Sequence, residues 1–163
     1  MSVGGGPRIY CPASLAEGAV VTLPETAARH VARALRLGPG DPVRIFDGDG
    51  QEHAAELVAG GPGVRARIGP PLAPIPEPGL GITLSQGISR GERMDFVVQN
   101  APELGVSRIV PVRTARSVVR LDPARGRRRQ EHWRAVAASA CEQCGRSVLP
   151  RVDPPRQLSD LLA

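Results

Sequence analysis

The chain of 163 residues contains no lysine, so all 21 of its basic residues are arginines. It has no run approaching the roughly 18 apolar residues that a membrane-spanning helix needs. Its first residues, MSVGGGPR, lack the apolar core of a signal peptide. Its size and its three cysteines are typical of a cytoplasmic protein. We therefore expect a cytoplasmic protein that does not enter a membrane.

The excess of positive charge lies in the second half of the chain. Residues 1–79 carry 7 arginines against 8 acidic residues, whereas residues 80–163 carry 14 against 8. Residues 113–134 alone contain 8 arginines and 2 acidic residues. Arginine pairs with phosphate through two parallel hydrogen bonds and stacks on bases, so this segment favours RNA binding. A solvated helix face, or a codon bias against lysine, fits the same composition.

A proline-rich segment divides the chain into two predicted domains. Residues 70–81 contain five prolines, which exclude a regular helix and favour an extended linker. We therefore expect one domain at 1–69 and another at 82–163. In the first, short apolar runs between turn residues predict strands and a small β-barrel. These runs are Ile9 to Cys11, Ala19 to Leu23, Val43 to Phe46, Glu52 to Val58 and Val64 to Ile68.

The second domain opens with a predicted strand, helix and strand between Gly81 and Val112. The helix, from Gly91 to Leu104, is followed by Gly105, which can adopt the left-handed conformation that ends helices. Pro102 removes a backbone donor and puts the last helical turn in doubt. Two strands joined by a helix should lie parallel in an α/β sheet. The residues expected on the buried helix face are Met94, Val97, Val98, Ala101 and Leu104.

A longer helix is predicted to begin after the N-cap Asp122 with Pro123, and to run to about Cys144 before Gly145. Cys141 and Cys144 form a CxxC pair at its C-terminal end, where the helix dipole opposes a thiolate. The three histidines lie in different elements, so we expect no metal site. The predicted core stripe is Trp133, Val136, Ala137, Ala140, Cys141 and Cys144.

Several motifs, in order along the chain, resemble those of one family. They are RIYCP at 8–12, HVARALRLGPGD at 30–41, IFDGDG at 45–50, QNAPELGV at 99–106 and ACEQCGRSVLP at 140–150. Together they resemble the bacterial 16S ribosomal RNA uracil-N3 methyltransferases of the SPOUT, or trefoil-knot, superfamily. The resemblance covers most of the chain. It departs in QNAPELGV, where the family usually has QKATELGV, so Asn100 replaces a lysine.

This resemblance implies an α+β protein of two domains, a PUA-like RNA-binding β-barrel followed by an α/β SPOUT domain with a parallel sheet. It also implies methylation of a uridine at N3 in 16S rRNA of the small ribosomal subunit, with S-adenosylmethionine as cofactor and a homodimer for the full-length protein. The GPEGG and LGxRILRxETA segments that form the family's knot and cofactor site do not occur here. We therefore expect an incomplete SPOUT domain with no cofactor-binding residue in this chain, inactive on its own.

Candidate RNA-binding residues follow from the same motifs and from the arginine patterns. A helix predicted from Pro24 to Leu37 has a core stripe of Ala27, Val31, Ala34 and Leu35, with arginines on another face. This basic ridge coincides with a family motif, so contact with RNA and simple solvation both stay open for it. The candidates are Arg8, Arg29, His30, Arg33, Arg36, Arg116, Arg127 and Arg128.

Three polar residues of the family motifs are candidates for catalysis. Uracil N3 carries a proton and is hidden in a base pair, so the base must be unpaired and deprotonated. Glu103 or Glu142 could take or relay that proton, and Arg146 could stabilise the uracil anion or bind a phosphate. The two glutamates could instead pair with arginines to hold the domain together, and the sequence favours this structural role slightly.

Two other functions fit the same sequence. The chain could be an RNA-binding module without catalysis, with no affinity for the cofactor. It could also be an assembly protein whose segment 113–134 binds an acidic protein partner. RNA binding that weakens steeply with salt would favour the methyltransferase and the RNA-binding module over the assembly protein.

Overall fold

The computed structural model describes residues 6–73, 75–114 and 122–162. The chain divides into two compact units, Met1–Pro76 and Glu77–Ala163. The division falls within the proline-rich segment 70–81. Each unit has its own sheet and its own hydrophobic core.

The first unit is built on a five-stranded sheet in the order β1-β3-β4-β5-β2. β1 pairs parallel with β3, and the other neighbours are antiparallel. All five strands expected from the sequence are present, and one helical segment separates the second strand from the third. The elements are β1 Arg8–Tyr10, β2 Val20–Thr22, α1 Glu25–Arg29, β3 Pro42–Phe46, β4 Glu52–Val58 and β5 Arg65–Pro71.

Apolar side chains from every one of these strands form the core of the first unit. On β3, for example, the inward residues Val43 and Ile45 are buried whereas Arg44 between them is half-exposed, as the two-residue period of a strand requires. The largest side chains of this core are Ile9, Leu15, Leu23, Val31, Val43, Ile45, Leu57 and Ile68.

The helix of the first unit departs from its predicted packing. It continues after α1 as a π-helix, His30–Leu35, in which the hydrogen bonds span five residues instead of four. The wider turn shifts the side chains that follow. Val31 is buried as expected, but Ala34 is exposed, and Leu37, just after the π-helix, packs on the core.

β5 extends into the segment predicted to be a linker. Pro70 and Pro71 continue this strand, and Leu72 N donates to Glu52 O on β4. β2 pairs only with Arg65, Ala66 and Arg67, so the two prolines lie where no bond to β2 is required of them. A proline can occupy such a strand end because it has no N–H to leave unpaired.

The second unit is a parallel sheet covered by helices. β6 pairs with β7, and β7 pairs on its other side with both β8 and β9, all in parallel. This confirms the predicted parallel α/β arrangement. The elements are β6 Ile82–Gly87, α2 Arg93–Asn100, β7 Val106–Arg113, α3 Pro123–Cys144, β8 Arg151–Val152, β9 Arg156–Gln157 and α4 Leu158–Leu162.

The end of α2 shows the effect of its proline. The regular helix stops at Asn100, and Ala101 to Gly105 form turns that end with Gly105 at a φ of 79°. Gly105 has the left-handed conformation expected of it, but it ends these turns and not the helix, which is shorter than its apolar pattern indicated. Leu104, expected on the buried face, is 75% exposed because it lies beyond the last helical turn.

α3 has the predicted limits. Asp122 accepts a hydrogen bond from Arg125 N at 2.8 Å as the N-cap, and Gly145 ends the helix with a φ of 92°. Trp133 is fully buried against Met94 and Val98 of α2 and Ile109 of β7 in the same core. Of the predicted stripe, Val136 and Cys144 are only half-buried. Among the described residues, no helix is both long enough and apolar enough to cross a membrane.

Replacing Gly145 by alanine should lower the free energy of unfolding of the second unit by about 1 kcal/mol, because an L side chain is disfavoured at positive φ. Gly145→Asn is the matched control, since asparagine tolerates this conformation better, and it should cost less. Denaturant unfolding followed by circular dichroism measures both. Equal stability of the alanine variant and the unmodified protein would contradict this account of the helix end.

Candidate nucleic-acid interface

The basic ridge of the first unit, defined as Arg29, His30, Arg33 and Arg36, is exposed along the helical segment. Arg29 makes only a long contact with Glu25, 3.8 Å between Nε and Oε1, and both side chains are largely in solvent. An exposed pair of this kind contributes little and leaves the guanidinium available. The ridge therefore presents positive charge that a phosphate can reach.

The backbone of the ridge is unusual at its last residue. Arg36 has a φ of 55°, and among the described residues it is the one non-glycine residue with positive φ. Together with the preceding π-helix, this conformation directs the chain out of the helix at Arg36. Non-glycine residues in the left-handed region, and π-helical turns, are concentrated at functional sites.

Arg8 does not belong to this exposed surface. Its side chain is only 5% exposed, and its guanidinium forms two hydrogen bonds with Glu52, at 3.0 and 2.8 Å. It also lies 4.6 Å from the centre of the Phe46 ring. Glu52 and Phe46 contact the guanidinium inside the first unit, which gives Arg8 a structural role. Its contact with RNA stays a prediction.

The second unit exposes arginines on α3. Arg127 and Arg128 are exposed and lie off the buried face of the helix, as predicted from their spacing. Arg116, the remaining RNA-binding candidate, lies outside the described residues. Arg125 is held at 3.3 Å from Asp122 at the start of the helix. The exposed guanidiniums on α3 suit phosphate contact in the same way as those of the ridge.

Of the three catalytic candidates, Arg146 has a clear structural role. Its Nη1 donates to Pro102 O at 3.1 Å and to Val106 O at 2.8 Å, and its guanidinium pairs with Glu77. These bonds tie the loop after α3 to the turn between α2 and β7. The guanidinium is used in this way and its side chain is only 11% exposed. Its contact with uracil or phosphate stays a prediction.

The two glutamates are placed differently. Glu103 is exposed in the turn that Arg146 holds, one residue after Pro102, so a substrate could reach its carboxylate. Glu142 is half-buried on the last turn of α3. The structure thus brings Arg146 to the turn that carries Glu103. The catalytic roles of both glutamates stay predictions.

The cysteines are free thiols in the structure. Cys141 is buried and its Sγ lies 3.8 Å from Val148 O, whereas Cys144 is half-buried. Burial raises the pKa of the Cys11 thiol above its ordinary value, which disfavours the reactive thiolate. In the part of the chain that the structure describes, no group of His, Cys, Asp or Glu residues is arranged to bind a metal ion.

A charged cluster that sequence analysis missed surrounds Asp153. Its carboxylate is fully buried and is approached by Arg108 Nη2 at 2.5 Å, Arg151 Nε at 2.9 Å and Arg156 Nη2 at 3.6 Å. Burial opposes ionisation of Asp153, but the hydrogen bond and charge of Arg108, with the charges of the other two arginines, lower its pKa below the ordinary value. The carboxylate is therefore ionised at neutral pH.

The only sequence signal for this cluster is the alternation Arg151-Val152-Asp153. It places Arg151 and Asp153 on one face of an edge strand and Val152 on the other. Arg108 lies more than 40 positions earlier in the chain and meets Asp153 only because β7 pairs with β8. No local pattern predicts that pairing.

These features define a class of protein: a two-unit α+β protein, with a mostly antiparallel sheet in one unit and a parallel sheet in the other, in which both units carry exposed arginines. Residues 76–163 match the family model of the RNA methyltransferase domain. Residues 23–68 match a second family model, that of the RNA methyltransferase PUA domain. The chain therefore belongs to the RNA methyltransferases of this family, and both the resemblance and the fold class expected from the sequence are confirmed.

Curated relatives carry the name ribosomal RNA small subunit methyltransferase E. The protein from Mycobacterium bovis is 32% identical over 144 residues, which is 83% of this chain and 52% of that protein. The protein from Bacillus subtilis is 28% identical over 134 residues, covering 82% and 52% respectively. The chain thus spans about half the length of these two relatives.

Solved structures of the same kind are similar over nearly the whole chain. Ribosomal RNA small subunit methyltransferase E from Neisseria gonorrhoeae, bound to S-adenosyl methionine, has a TM-score of 0.89 and 40% identity. A methyltransferase from Legionella pneumophila, in complex with the same cofactor, has a TM-score of 0.91 and 35% identity. Each match covers 96% of this chain and 65% of the other.

Removing Arg8 should destabilise the first unit because the buried carboxylate of Glu52 loses the guanidinium that donates to both of its oxygens, and Arg44 is more distant, at 3.6 Å. We expect Arg8→Ala to lower the free energy of unfolding by about 3 to 5 kcal/mol. Arg67→Ala, an exposed arginine of the same sheet, is the control and should change it by less than about 0.5 kcal/mol. Urea unfolding measures both. An Arg8 variant as stable as the control would show that the buried pair contributes nothing.

Asp153→Asn should destabilise the second unit at neutral pH by about 1 to 3 kcal/mol, since it removes a buried, hydrogen-bonded charge. The pKa of Asp153 is lower in the folded than in the unfolded chain. Its contribution is therefore complete above the ordinary value of 3.8 and is lost as the pH falls below it. The stability difference between the two proteins should shrink in urea unfolding below that pH. A difference that stays constant down to strong acid would contradict the assignment.

Proposed function

We propose that the chain is part of an enzyme that transfers a methyl group from S-adenosylmethionine to N3 of a uridine in 16S rRNA. The observation that supports the rRNA substrate and the cofactor is the match over 96% of the chain, at 40% identity, to a small-subunit rRNA methyltransferase bound to that cofactor. The choice of uridine N3 rests on the resemblance of the sequence motifs. The exposed arginines on both units support an RNA substrate. The small ribosomal subunit is then the partner, and the cytoplasm the place of action.

The first unit binds RNA through the basic ridge in this proposal. Its three arginines are spaced along a segment of eight residues and are anchored by a buried Val31 between them. Side chains on one rigid segment lose less entropy on binding than side chains on a loop. Phosphate contacts of this kind fix the position of the RNA, and base contacts elsewhere specify the uridine.

The second unit supplies part of the catalytic domain. A methyl transfer to N3 needs the uracil removed from its base pair and its N3 proton taken up by a base. Of the two glutamates proposed for this step, Glu103 is the more accessible, because it is exposed in a turn that Arg146 fixes. Glu142 is the second candidate. A carboxylate near neutral pH is a weak base, so it would act by accepting the proton as the N–C bond forms.

A cofactor bound to the second unit would lie at one edge of its parallel sheet. In α/β sheets, ligands bind beyond the carboxyl ends of the strands. Here those ends carry Gly87 on β6 and Arg113 on β7. An arginine there can donate to the carboxylate of the cofactor, but it offers no acceptor for the N–H and O–H groups of the adenine and ribose. We propose that segments outside residues 1–163 supply the cofactor site, as the greater length of the relatives allows. The homodimer is likewise a prediction for the full-length protein.

The proposal is tested with the protein produced from its complete reading frame. Incubation with S-adenosylmethionine and 16S rRNA, either naked or in the small subunit, should give 3-methyluridine, detected by mass spectrometry of the nucleosides. RNA binding without transfer would favour the non-catalytic RNA-binding module. Binding of neither RNA nor cofactor, with capture of an acidic protein, would favour the assembly protein.

Neutralising the basic ridge should reduce kcat/KM for RNA by about 10- to 100-fold, because several phosphate contacts are lost. The variant combines Arg29→Ala, Arg33→Ala and Arg36→Gly, with glycine at the position of positive φ to avoid strain. The KM for S-adenosylmethionine should not change. Arg67→Ala is the control, because Arg67 is an exposed arginine on the sheet of the same unit. An unchanged kcat/KM for RNA in the triple variant would remove the ridge from the interface.

A further inference from the structure

The arginine cluster around Asp153 has the composition of an anion site rather than of a closed ion pair. Arg108, Arg151 and Arg156 come from three different strands, β7, β8 and β9, and share one carboxylate. The group therefore carries two uncompensated positive charges. None of the residues proposed above for RNA contact belongs to it.

The cluster lies on the face of the sheet opposite to α2 and α3. Val152 and Ile109 pair across β8 and β7 and point into the core that contains Trp133. Their neighbours Arg108 and Arg151, which are paired in the same register, must point the other way because side chains alternate along a strand. The guanidiniums are thus separated from the helices that cover the other face.

Hydrogen-bond donors in the cluster far outnumber acceptors. Three guanidiniums carry about fifteen N–H donors, whereas one carboxylate offers about four lone pairs. Among the described residues, Arg108 Nε is buried without an acceptor and Asp153 Oδ1 is buried without a hydrogen-bond donor in good geometry, although Arg151 Nε lies 2.9 Å away. The side chains of Arg108, Arg151 and Arg156 are nevertheless 38%, 70% and 41% exposed, so the outer donors face solvent. An anion at the surface would accept from the outer donors, which face solvent and not Asp153.

The carboxylate also fixes the spacing of the arginines. Arg108 Nη2 and Arg156 Nη2 lie 2.5 and 3.6 Å from the same oxygen of Asp153, so they are no more than about 6 Å apart. One phosphate group can accept from two donors at that separation. Because a fully buried carboxylate orients them, these side chains lose less freedom on binding than independent surface arginines would.

We propose that Arg108, Arg151 and Arg156 form a second RNA-binding site, which receives a backbone phosphate of the substrate RNA. This inference rests on the proposed function for the identity of the RNA. An open, partly exposed cluster suits a phosphate of a polymer, which other contacts hold in place, better than a free anion that would need enclosure. Asp153 is the positioning residue of the site: it orients the arginines and does not touch the RNA.

The test measures binding of in vitro-transcribed 16S rRNA to the full-length protein across a range of salt concentrations. Arg156→Ala is the main variant, because its 3.6 Å contact with Asp153 is the longest of the three and matters least for folding. The double variant Arg151→Ala/Arg156→Ala removes two phosphate ligands. Arg90→Ala, an exposed arginine before α2, is the control. Thermal unfolding checks that each variant is folded.

We expect the slope of log K against log salt to become shallower by about 0.7 to 0.9 for Arg156→Ala and by about twice that for the double variant. Affinity should fall about 5- to 10-fold per arginine, with no change for Arg90→Ala. If the double variant does not fold, the single variant decides. An unchanged slope for folded Arg156→Ala overturns the site, and an acidic protein retained by wild type but not by that variant would reassign it.

Failure of this inference is distinguishable from failure of the proposed function. A wild-type protein that forms 3-methyluridine in 16S rRNA, while Arg156→Ala keeps the wild-type salt slope, leaves the methyltransferase in place and removes only the second site. A wild-type protein that neither binds nor methylates the RNA overturns both.

Discussion

The parallel pairing of β6 with β7 is the constraint on which the second unit depends. Parallel neighbours cannot be joined by a tight turn, so the chain must cross from one end of the sheet to the other, and α2 makes that crossing. The crossing helix has to bury one face on the sheet, which it does through Met94 and Val98. Trp133 of α3 packs in the same core beside them. β8 and β9 then pair in parallel with β7.

Local signals in the sequence were sufficient for most of this architecture. The limits of α3 were predictable because Asp122, Pro123 and Gly145 each satisfy a backbone requirement of a helix end within a few residues. The strands of the first unit were predictable for a similar reason, since alternation and turn residues act over short distances. The position of Leu104 was not, because the effect of Pro102 on the last turn competes with an apolar pattern that continues past it.

The candidate site was harder to predict because the fate of an arginine depends on partners far away in the chain. Arg8 and Arg29 look alike in the sequence, yet one is buried against Glu52, 44 positions away, and the other is in solvent. Arg146 belongs to a family motif but is used to hold two loops together. The exposed ridge was predicted because helical spacing alone separates its arginines from the core, even though the π-helix alters the details.

The carboxylates of Glu52, Glu77 and Asp153 are each paired with arginine, in a chain that has no lysine. A lysine loses its charge at about pH 10.4, whereas a guanidinium stays protonated to about pH 12. Raising the pH therefore does not break these ion pairs by deprotonating the cation. The same holds for the exposed ridge and for the cluster around Asp153. The chain keeps both its internal ties and its positive surface through the alkaline range in which a lysine-based protein would lose them.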